Sequence, residues 1–245
     1  MNGIARPERI SLSFPEIFSR DGYRLPAILL EPPVPSGGAA VSHGYGGSKE
    51  EILGLALSFA VHGWSTVAFD LRGHGSHPAA LDPGLLNDLN GAIDYVRRFG
   101  TTVAIGHSLA GRLAMVSDAD RAIGFSPSIV RGISATGQTM MTTFTSPRVR
   151  EDHPGYLLEI LKAMPSVPDD GKPRFIVYSE RDVPGIMAGL AALSLANLDR
   201  TTVPPLYTEP ARDPQLLEYL PIWFNHGDMK LNPDAVARAL TWLNK

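Results

Sequence analysis

The chain has 245 residues, of which 44% are apolar and 19% charged, and its formal net charge is −3. This slightly acidic balance gives no reason to expect nucleic acid or an anionic membrane as a partner. The sequence contains no cysteine, which excludes disulfides, thiolate metal sites and a cysteine nucleophile, and which fits a reducing compartment.

The first eight residues lack the apolar core of a signal peptide, and no apolar run approaches the ~20 residues of a membrane span. We therefore expect a cytoplasmic protein. A chain of this length can bury a large core, and no convincing linker divides it. We expect one α/β domain over residues 1–245.

Short β-like runs alternate with helical stretches, a pattern that predicts a mostly parallel sheet covered by helices on both faces. The chain opens with a predicted hairpin, whose strands at 11–18 and 23–30 flank Arg20-Asp21-Gly22. Further strands are predicted at 39–42, 65–69, 101–105, 122–125, 174–178 and 221–224. Helices are predicted at 49–62, 85–99, 111–115, 156–164 and 234–243, the last with Asn232 as its N-cap.

The strand at 101–105 is followed by Gly106-His107-Ser108-Leu109-Ala110-Gly111, which passes directly into a helix. A serine on a sharp strand-to-helix turn has its hydroxyl clear of both elements, and the N–H groups after it face a forming oxyanion. Gly106 and Ala110 are small enough for the close approach of strand and helix that this turn needs. Ser108 is therefore a candidate nucleophile, and a plain structural turn is the alternative.

A serine nucleophile needs a base within hydrogen-bond reach, and the expected chain order here is serine, acid, histidine. Of the seven histidines, His153 and His226 follow Ser108. His153 lies among charged residues in a long insertion, whereas His226 comes just after the predicted strand at 221–224. We predict His226 as the base, with a solvated loop histidine as the alternative.

The acid that orients this histidine is expected on the loop after the strand at 174–178. Asp182 is the preferred residue, and Glu180 on the same loop is the second candidate. Asp228 is too close to the histidine in sequence for easy geometry. An acid could instead follow the preceding strand, but Ser126-Pro127-Ser128 offers none there.

Negative charge develops on the substrate carbonyl oxygen during attack and needs backbone donors. The Leu109 N–H, next after the nucleophile, is one candidate. The glycines of residues 43–47, His-Gly-Tyr-Gly-Gly, allow a close backbone approach, and the Tyr45 N–H is the second. A phosphate cradle is the alternative for this loop, but the loop lacks both the Gly-Lys-Ser/Thr ending and the Gly-x-Gly-x-x-Gly spacing.

The loop at 70–77 follows the strand at 65–69 and carries Gly73 and Gly75, which we predict in left-handed turn positions. Asp70 and Arg72 are expected to bond loop backbone. A metal site is a further alternative, which no Asp/Glu/His helix motif supports. Its ligands would be His43, His74 and His77.

Residues 127–171 separate two core strands and are rich in Ser, Thr, Met and Pro. A segment of this length is expected to pass over the strand ends as a small cap, or else to pack on itself as a structural insertion. Met140, Met141 and Phe144 would line an apolar acyl pocket if the cap interpretation holds.

Four elements stand in order: the loop at 43–47, Asp70-Leu71-Arg72-Gly73-His74-Gly75, the turn at 106–111, and Asp182 ahead of His226. Together they resemble the α/β-hydrolase superfamily over nearly the whole chain. Residues 43–51, His-Gly-Tyr-Gly-Gly-Ser-Lys-Glu-Glu, resemble the small cytoplasmic esterases of the cinnamoyl-esterase and serine-aminopeptidase-like branch.

The resemblance implies an eight-stranded, mostly parallel sheet and no cofactor. It also implies Ser108 as nucleophile, His226 as base, Asp182 as the orienting acid, and the Tyr45 and Leu109 amides as oxyanion donors. The sequence departs from the family pattern at three points. Ala110 replaces a usual glycine, Ser179 stands where the acid loop usually has glycine, and the interval from Asp182 to His226 is long and rich in proline.

The function we expect is hydrolysis of a small or medium acyl ester through an acyl-enzyme, with a small-molecule substrate. The same fold also supports C–C bond hydrolases, lactonases, thioesterases and peptidases, so these remain alternatives. A ligand-binding member without turnover is a further alternative from a different class.

Overall fold

In the computed structural model, residues 9–129, 142, 146–207 and 225–245 are described, and they contain an eight-stranded sheet. The strands in these ranges are β1 Ser11–Ser13, β2 Ile17–Phe18, β3 Arg24–Leu25, β4 Ala27–Glu31, β5 Gly37–Ser42, β6 Trp64–Phe69, β7 Thr102–His107, β8 Arg121–Phe125, β9 Arg174–Ser179 and β10 Leu198–Val203. The large sheet has the order β1-β4-β6-β5-β7-β8-β9-β10. From β6 to β10 all neighbours are parallel, so the predicted mostly parallel sheet is confirmed.

The predicted N-terminal hairpin forms, but it is divided between two sheets. β1 pairs antiparallel with β4 in the large sheet, while β2 and β3 form a separate two-stranded sheet. Pro15 and Pro26 lie at the points of division. Proline has no N–H for a sheet ladder, so each one interrupts its strand.

Helices cover both faces of the sheet, as the alternating pattern predicts. They are α1 Lys49–Ala60, α2 Leu85–Val96, α3 Ser108–Val116, α4 Tyr156–Ala163, α5 Pro184–Ala192 and α6 Pro233–Leu243, with short 3-10 helices at Arg97–Phe99 and Met229–Leu231. One apolar core lies between the sheet and α2, α3, α4 and α5, and a second lies between the sheet and α1 and α6. Every residue of β5, β6 and β7 is buried, as expected for strands covered on both sides.

Several element boundaries agree closely with the sequence-based predictions. Asn232 caps α6 by accepting hydrogen bonds from the amides of Asp234 and Ala235, which confirms the predicted N-cap. Gly73 and Gly75 have φ values of +80° and +47°, so both are left-handed as predicted. None of the helices in the described ranges has the length and apolar character needed to span a bilayer.

A helix, a strand and the short 3-10 helix Met229–Leu231 were not predicted, and one predicted element lies outside the described residues. The sequence analysis missed α5 and the edge strand β10, whose residues are Leu-Asp-Arg-Thr-Thr-Val. Five of these six residues are at least partly exposed, so β10 has no apolar alternation to mark it. The predicted strand at 221–224 falls in the undescribed range 208–224.

The parallel register brings the carboxyl ends of the central strands into line. Ser42 pairs with Gly106, His107 pairs with Phe125, and Phe125 pairs with Val177. The residues that follow β5, β7, β8 and β9 therefore meet at one edge of the sheet. Ligands of open α/β sheets bind at this edge.

Candidate active site

The turn between β7 and α3 holds Ser108 in a strained backbone conformation. Its φ is +52°, which is uncommon for a residue other than glycine, and α3 begins at this residue. A Cβ on Gly106 would lie 2.2 Å from the carbonyl carbon and oxygen of Ala110. The close approach of strand and helix expected at Gly106 and Ala110 is therefore present, and Gly106 has no room for a side chain.

Three side chains from distant parts of the chain meet at this turn. His226 Nε2 lies 2.9 Å from Ser108 Oγ, and His226 Nδ1 lies 2.9 Å from Asp182 Oδ1. Asp182 is 2% exposed and His226 is 7% exposed, so bulk water competes little for either contact. Asp182 follows β9, while His226 lies on a helical turn of the described segment 225–245.

Further donors hold the Asp182 carboxylate. The Val183 amide donates to Oδ1 at 2.7 Å, and the Ser126 hydroxyl donates to Oδ2. The second candidate acid, Glu180, has an exposed side chain, and its amide donates to the Val203 carbonyl at 3.0 Å. Of the two carboxylates, the one in contact with the imidazole is Asp182.

His107 was not considered in the sequence analysis, although it lies in the turn next to the serine. Its Nε2 donates to the backbone carbonyl of His226 at 2.7 Å, and the two rings lie 5.2 Å apart. Burial, together with the nearby His226, holds the pKa of His107 well below its ordinary value. A neutral His107 can anchor the backbone of His226 without placing a second cation beside its ring.

The sequence analysis also gave no role to the serines that follow β8. Ser128 Oγ lies 3.0 Å from Ser108 Oγ, and the Ser128 amide donates to the Ser108 carbonyl at 3.0 Å. Ser126 has a φ of +45° and is fully buried. The sequence could have indicated a role for these serines only by their position, because a segment directly after β8 must lie at the edge of the sheet where Ser108 emerges.

The glycine-rich loop at 43–47 packs directly against the turn. A Cβ on Gly44 would lie 2.9 Å from His107 Nδ1 and 3.2 Å from Ser108 Cβ, so the loop backbone is very close to the serine. The Tyr45 hydroxyl donates to Glu151 Oε1 at 2.7 Å, and burial, reinforced by this bond, raises the pKa of Tyr45. The loop is thus fixed from both sides, by the turn and by the segment around Glu151.

The histidines near this loop serve the fold. His43 Nδ1 donates to the Gly44 carbonyl at 2.8 Å, and its Nε2 accepts from the Leu71 amide at 3.2 Å. His74 Nδ1 donates to the Arg72 carbonyl at 2.9 Å. Within the part of the chain that the structure describes, no group of three His, Asp or Glu side chains is arranged to hold a metal ion.

Asp70 accepts from the amides of Lys49 and Ser76 at 2.7 and 2.9 Å, as expected for a residue that bonds loop backbone. Arg72 differs from the expectation. Its guanidinium contacts three carboxylates, those of Asp88, Asp82 and Asp21. Because a guanidinium can only donate, it needs acceptors, and the nearby carboxylates provide them.

The remaining sequence-predicted residues have no described surroundings. Met140, Met141 and Phe144 lie outside the described residues. In the described part of the insertion, α4 places Leu157, Ile160 and Leu161 in the core that it shares with α2 and α3.

The sequence pattern of the alpha/beta hydrolase family matches residues 39–242, a span that includes Ser108, Asp182 and His226. The chain belongs to the alpha/beta hydrolase family. The fold agrees with this assignment, because the eight-stranded sheet, the flanking helices and the serine on the strand-to-helix turn are all present.

Solved structures similar to this alpha/beta hydrolase cover most of its length. TT1662 from Thermus thermophilus has a TM-score of 0.65 at 20% identity, covering 96% of this chain and 97% of that one. The esterase Pf2001 from Pyrococcus furiosus has a TM-score of 0.64 at 16% identity, covering 96% and 91%. Est1E from Butyrivibrio proteoclasticus, solved with ferulic acid bound, has a TM-score of 0.63 at 19% identity, covering 94% and 100%.

No curated protein sequence matches the chain. These three structural likenesses are at low identity and establish the fold of this alpha/beta hydrolase. Its chemistry has to be argued from the side chains at the edge of the sheet.

Proposed function

We propose that the protein is a serine hydrolase that cleaves small or medium acyl esters through an acyl-enzyme. Ser108 is the nucleophile, His226 the general base and Asp182 the acid that orients it. The observation that carries the proposal is the position of the His226 ring, with one nitrogen 2.9 Å from the Ser108 hydroxyl and the other 2.9 Å from the Asp182 carboxylate.

The chemistry follows from the donors and acceptors of these three residues. The Asp182 carboxylate accepts a hydrogen bond from the Nδ1–H group of His226, so the neutral ring presents the lone pair of Nε2 to the serine. As Ser108 Oγ attacks the ester carbonyl carbon, its proton passes to Nε2, and Asp182 stabilises the imidazolium. The ester C–O bond then breaks, and the alcohol leaves with that proton.

A water molecule completes the cycle, and His226 again acts first as the base and then as the acid. His226 takes a proton from water as the water oxygen attacks the acyl-enzyme, the bond to Ser108 Oγ breaks, and the proton returns to Ser108. The backbone N–H groups of Leu109 and Tyr45 stabilise the oxyanion in both steps. Two observations support this role: Leu109 lies in the first turn of α3, where N–H groups have no intrahelical acceptor, and the Gly44 backbone is packed against Ser108.

We propose that the described residues 146–171 belong to a small cap over the site, within a single domain. Contacts of this segment with the loop at 43–47 support the cap: Ser146 Oγ lies 2.9 Å from the Cβ position of Gly46, and Glu151 accepts from Tyr45. Among the similar structures, Pf2001 is an esterase and Est1E holds ferulic acid, which agrees with an ester of a carboxylic acid as substrate. Because the chain lacks cysteine, we expect it to act in the reducing cytoplasm.

The test is intact mass after treatment with a fluorophosphonate probe, followed by turnover of a p-nitrophenyl ester series of increasing acyl length. Wild type should gain one adduct. Ser108→Ala should gain none and should lose about 10⁶-fold in turnover. Ser58→Ala, which removes a hydroxyl on α1 bonded to the Gly54 carbonyl, is the matched control and should behave as wild type. Turnover above a few per cent in Ser108→Ala would refute the proposal.

A further inference from the structure

The segment Ser126-Pro127-Ser128 contacts both ends of the hydrogen-bond chain described above. The Ser126 hydroxyl bonds the Asp182 carboxylate, and the Ser128 hydroxyl lies 3.0 Å from Ser108 Oγ. The sequence analysis singled out this segment because it lacks an acid. Its two hydroxyls nevertheless lie where the acid and the nucleophile are held.

The segment is anchored independently of those hydroxyls. Pro127 packs closely against Gly111 and Gly124. A Cβ on Gly111 would lie 3.0 Å from Pro127 Cα, and a Cβ on Gly124 would lie 3.0 Å from Pro127 Cγ. The Ser128 amide donates to the Ser108 carbonyl, and the Ser128 carbonyl accepts from Arg112 at 3.3 Å. The position of the Ser128 side chain is therefore set by backbone contacts that a substitution would keep.

The direction of the Ser128–Ser108 bond follows from counting protons. The proton of the neutral His226 ring lies on Nδ1, which donates to Asp182, so Nε2 is an acceptor and the Ser108 hydroxyl proton points at it. Ser108 then has no proton left for its second contact. The proton between the two serine oxygens must belong to Ser128, which donates to Ser108 Oγ.

We propose, on the basis of the proposed function, that Ser128 is a further catalytic residue whose hydroxyl stabilises the charge that develops on Ser108 Oγ. When Ser108 loses its proton to His226, this bond becomes charge-assisted and strengthens. In the acyl-enzyme Oγ is an ester oxygen and a weaker acceptor. When the acyl group leaves, the charge returns to Oγ and the bond strengthens again, so Ser128 favours the transition states over the ground states of both steps.

The test uses the rate of fluorophosphonate labelling, followed by intact mass, and kcat and KM for p-nitrophenyl acetate. Ser128→Val and Ser128→Thr form a matched pair, because valine and threonine have nearly the same shape and differ in the hydroxyl. We expect Ser128→Val to label about 10- to 100-fold more slowly than wild type, the range for losing a hydrogen bond to a charged group. Ser128→Thr should stay within about threefold, given the hydroxyl it keeps.

Two further readouts separate this role from a merely structural one. Because Ser128 contacts neither the imidazole nor the carboxylate, Ser128→Val should lower kcat at every pH without moving the midpoint of the acidic limb of its pH profile. KM should change less than kcat, since the bond strengthens in the transition state. A changed KM at constant kcat would overturn the proposal.

The outcomes also distinguish failure of this proposal from failure of the proposed function. Equal labelling rates for Ser128→Val and wild type, with none for Ser108→Ala, would overturn the role of Ser128 and leave Ser108 as the nucleophile. Equal slowing in Ser128→Val and Ser128→Thr would assign the effect to side-chain shape and overturn the role of the hydroxyl. Labelling of Ser108→Ala at the wild-type rate would instead refute the serine mechanism on which both proposals rest.

Discussion

Two buried polar clusters lie at the carboxyl edge of the sheet, and they are built on opposite principles. In the Arg72 cluster, a guanidinium that is 1% exposed is held by Asp88 at 2.6 Å, Asp82 at 2.7 Å and Asp21 at 2.8 Å. In the Ser108 cluster, neutral donors and acceptors form a chain that ends at one carboxylate, Asp182. Both clusters follow central strands, β6 in the first case and β7 to β9 in the second.

The difference lies in whether a proton can move. Burial alone would lower the pKa of Arg72, but the hydrogen bonds that Arg72 donates to Asp88 and Asp21 outweigh it and raise the pKa above its ordinary value. The Arg72 guanidinium therefore keeps its proton near neutral pH. In the Ser108 cluster, the imidazole of His226 links the Ser108 hydroxyl to the Asp182 carboxylate. An imidazole is the side chain suited to proton transfer near neutral pH. The first cluster should therefore govern stability and the second activity.

The largest effect that tests this contrast is expected from Asp182→Asn. The amide lacks the negative charge that stabilises the imidazolium, and its NH2 group can donate to Nδ1, which places the ring proton on Nε2 and removes the acceptor for Ser108. Turnover of a p-nitrophenyl ester should fall about 10⁴-fold, the loss expected for this substitution in a Ser-His-Asp arrangement. Thermal unfolding should change little by comparison.

Glu180→Gln is the matched control, since it removes a carboxylate two residues away on the same loop. Its side chain is exposed, so activity should remain within about twofold of wild type. If Glu180→Gln were the damaging change and Asp182→Asn the mild one, the assignment of the acid would be reversed.

The next largest effect is expected from Arg72→Met, and it should appear in stability. This change leaves Asp88, which is fully buried, without its charge partner, and breaking a buried pair costs about 3–5 kcal/mol in the free energy of unfolding. The folded fraction should keep its kcat within about twofold, because Arg72 contacts none of the three residues at Ser108.

The double variant Arg72→Met/Asp88→Asn should regain part of that loss in urea titrations, since it removes the buried charge. Arg20→Met supplies the surface comparison. Arg20 pairs with Asp94 and Asp118 but is 38% exposed, so its loss should cost about 1 kcal/mol or less. A cost for Arg72→Met no larger than that for Arg20→Met would contradict the structural role of the cluster.

The sequence predicted those parts of the fold and candidate site that depend on local chemistry. The apolar run before Gly106, the glycines at 73 and 75 and the Asn232 cap each need particular residue types at fixed positions, and each is present as predicted. The position of Asp182 near Ser108 could be anticipated because it follows the parallel strand β9, whereas the strand predicted before His226 lies outside the described residues.

The parts that were missed depend on tertiary position. Strand β10 is a polar edge strand that forms by pairing with β9, so its own sequence carries no alternation. His107 and Ser128 are ordinary residues in sequence, and their significance comes from contacts with groups 119 and 20 positions away. Serine hydroxyls can serve caps, turns and surfaces equally well, so only their geometry distinguishes Ser128.

The smallest of the three effects concerns His74, which lies between the two clusters. Its Nδ1 donates to the Arg72 carbonyl, and its ring packs edge-on against Tyr45. Among the described residues its buried Nε2 has no hydrogen-bond partner, so a second proton there would be unsatisfied. Burial, with smaller contributions from His43 and Arg150, lowers the pKa of His74 from 6.5 to about 4, although the bond to the Arg72 carbonyl and the charge of Asp70 act to raise it.

The sign of the effect follows from proton linkage. Between pH 6.5 and 4 the unfolded chain binds a proton at His74 and the folded chain does not, so the stability that His74 contributes is complete above pH 6.5 and is lost as the pH falls towards 4. By pH 5 the loss should reach about 2 kcal/mol. His74→Asn keeps an N–H for the Arg72 carbonyl but cannot titrate. Urea unfolding at pH 7.5 and pH 5 should therefore give a decrease in stability that is about 2 kcal/mol smaller in His74→Asn than in wild type. Equal decreases in the two proteins would mean that His74 is protonated in the folded state as readily as in the unfolded one. The region between the two clusters would then be more accessible to water than the packing of His74 implies.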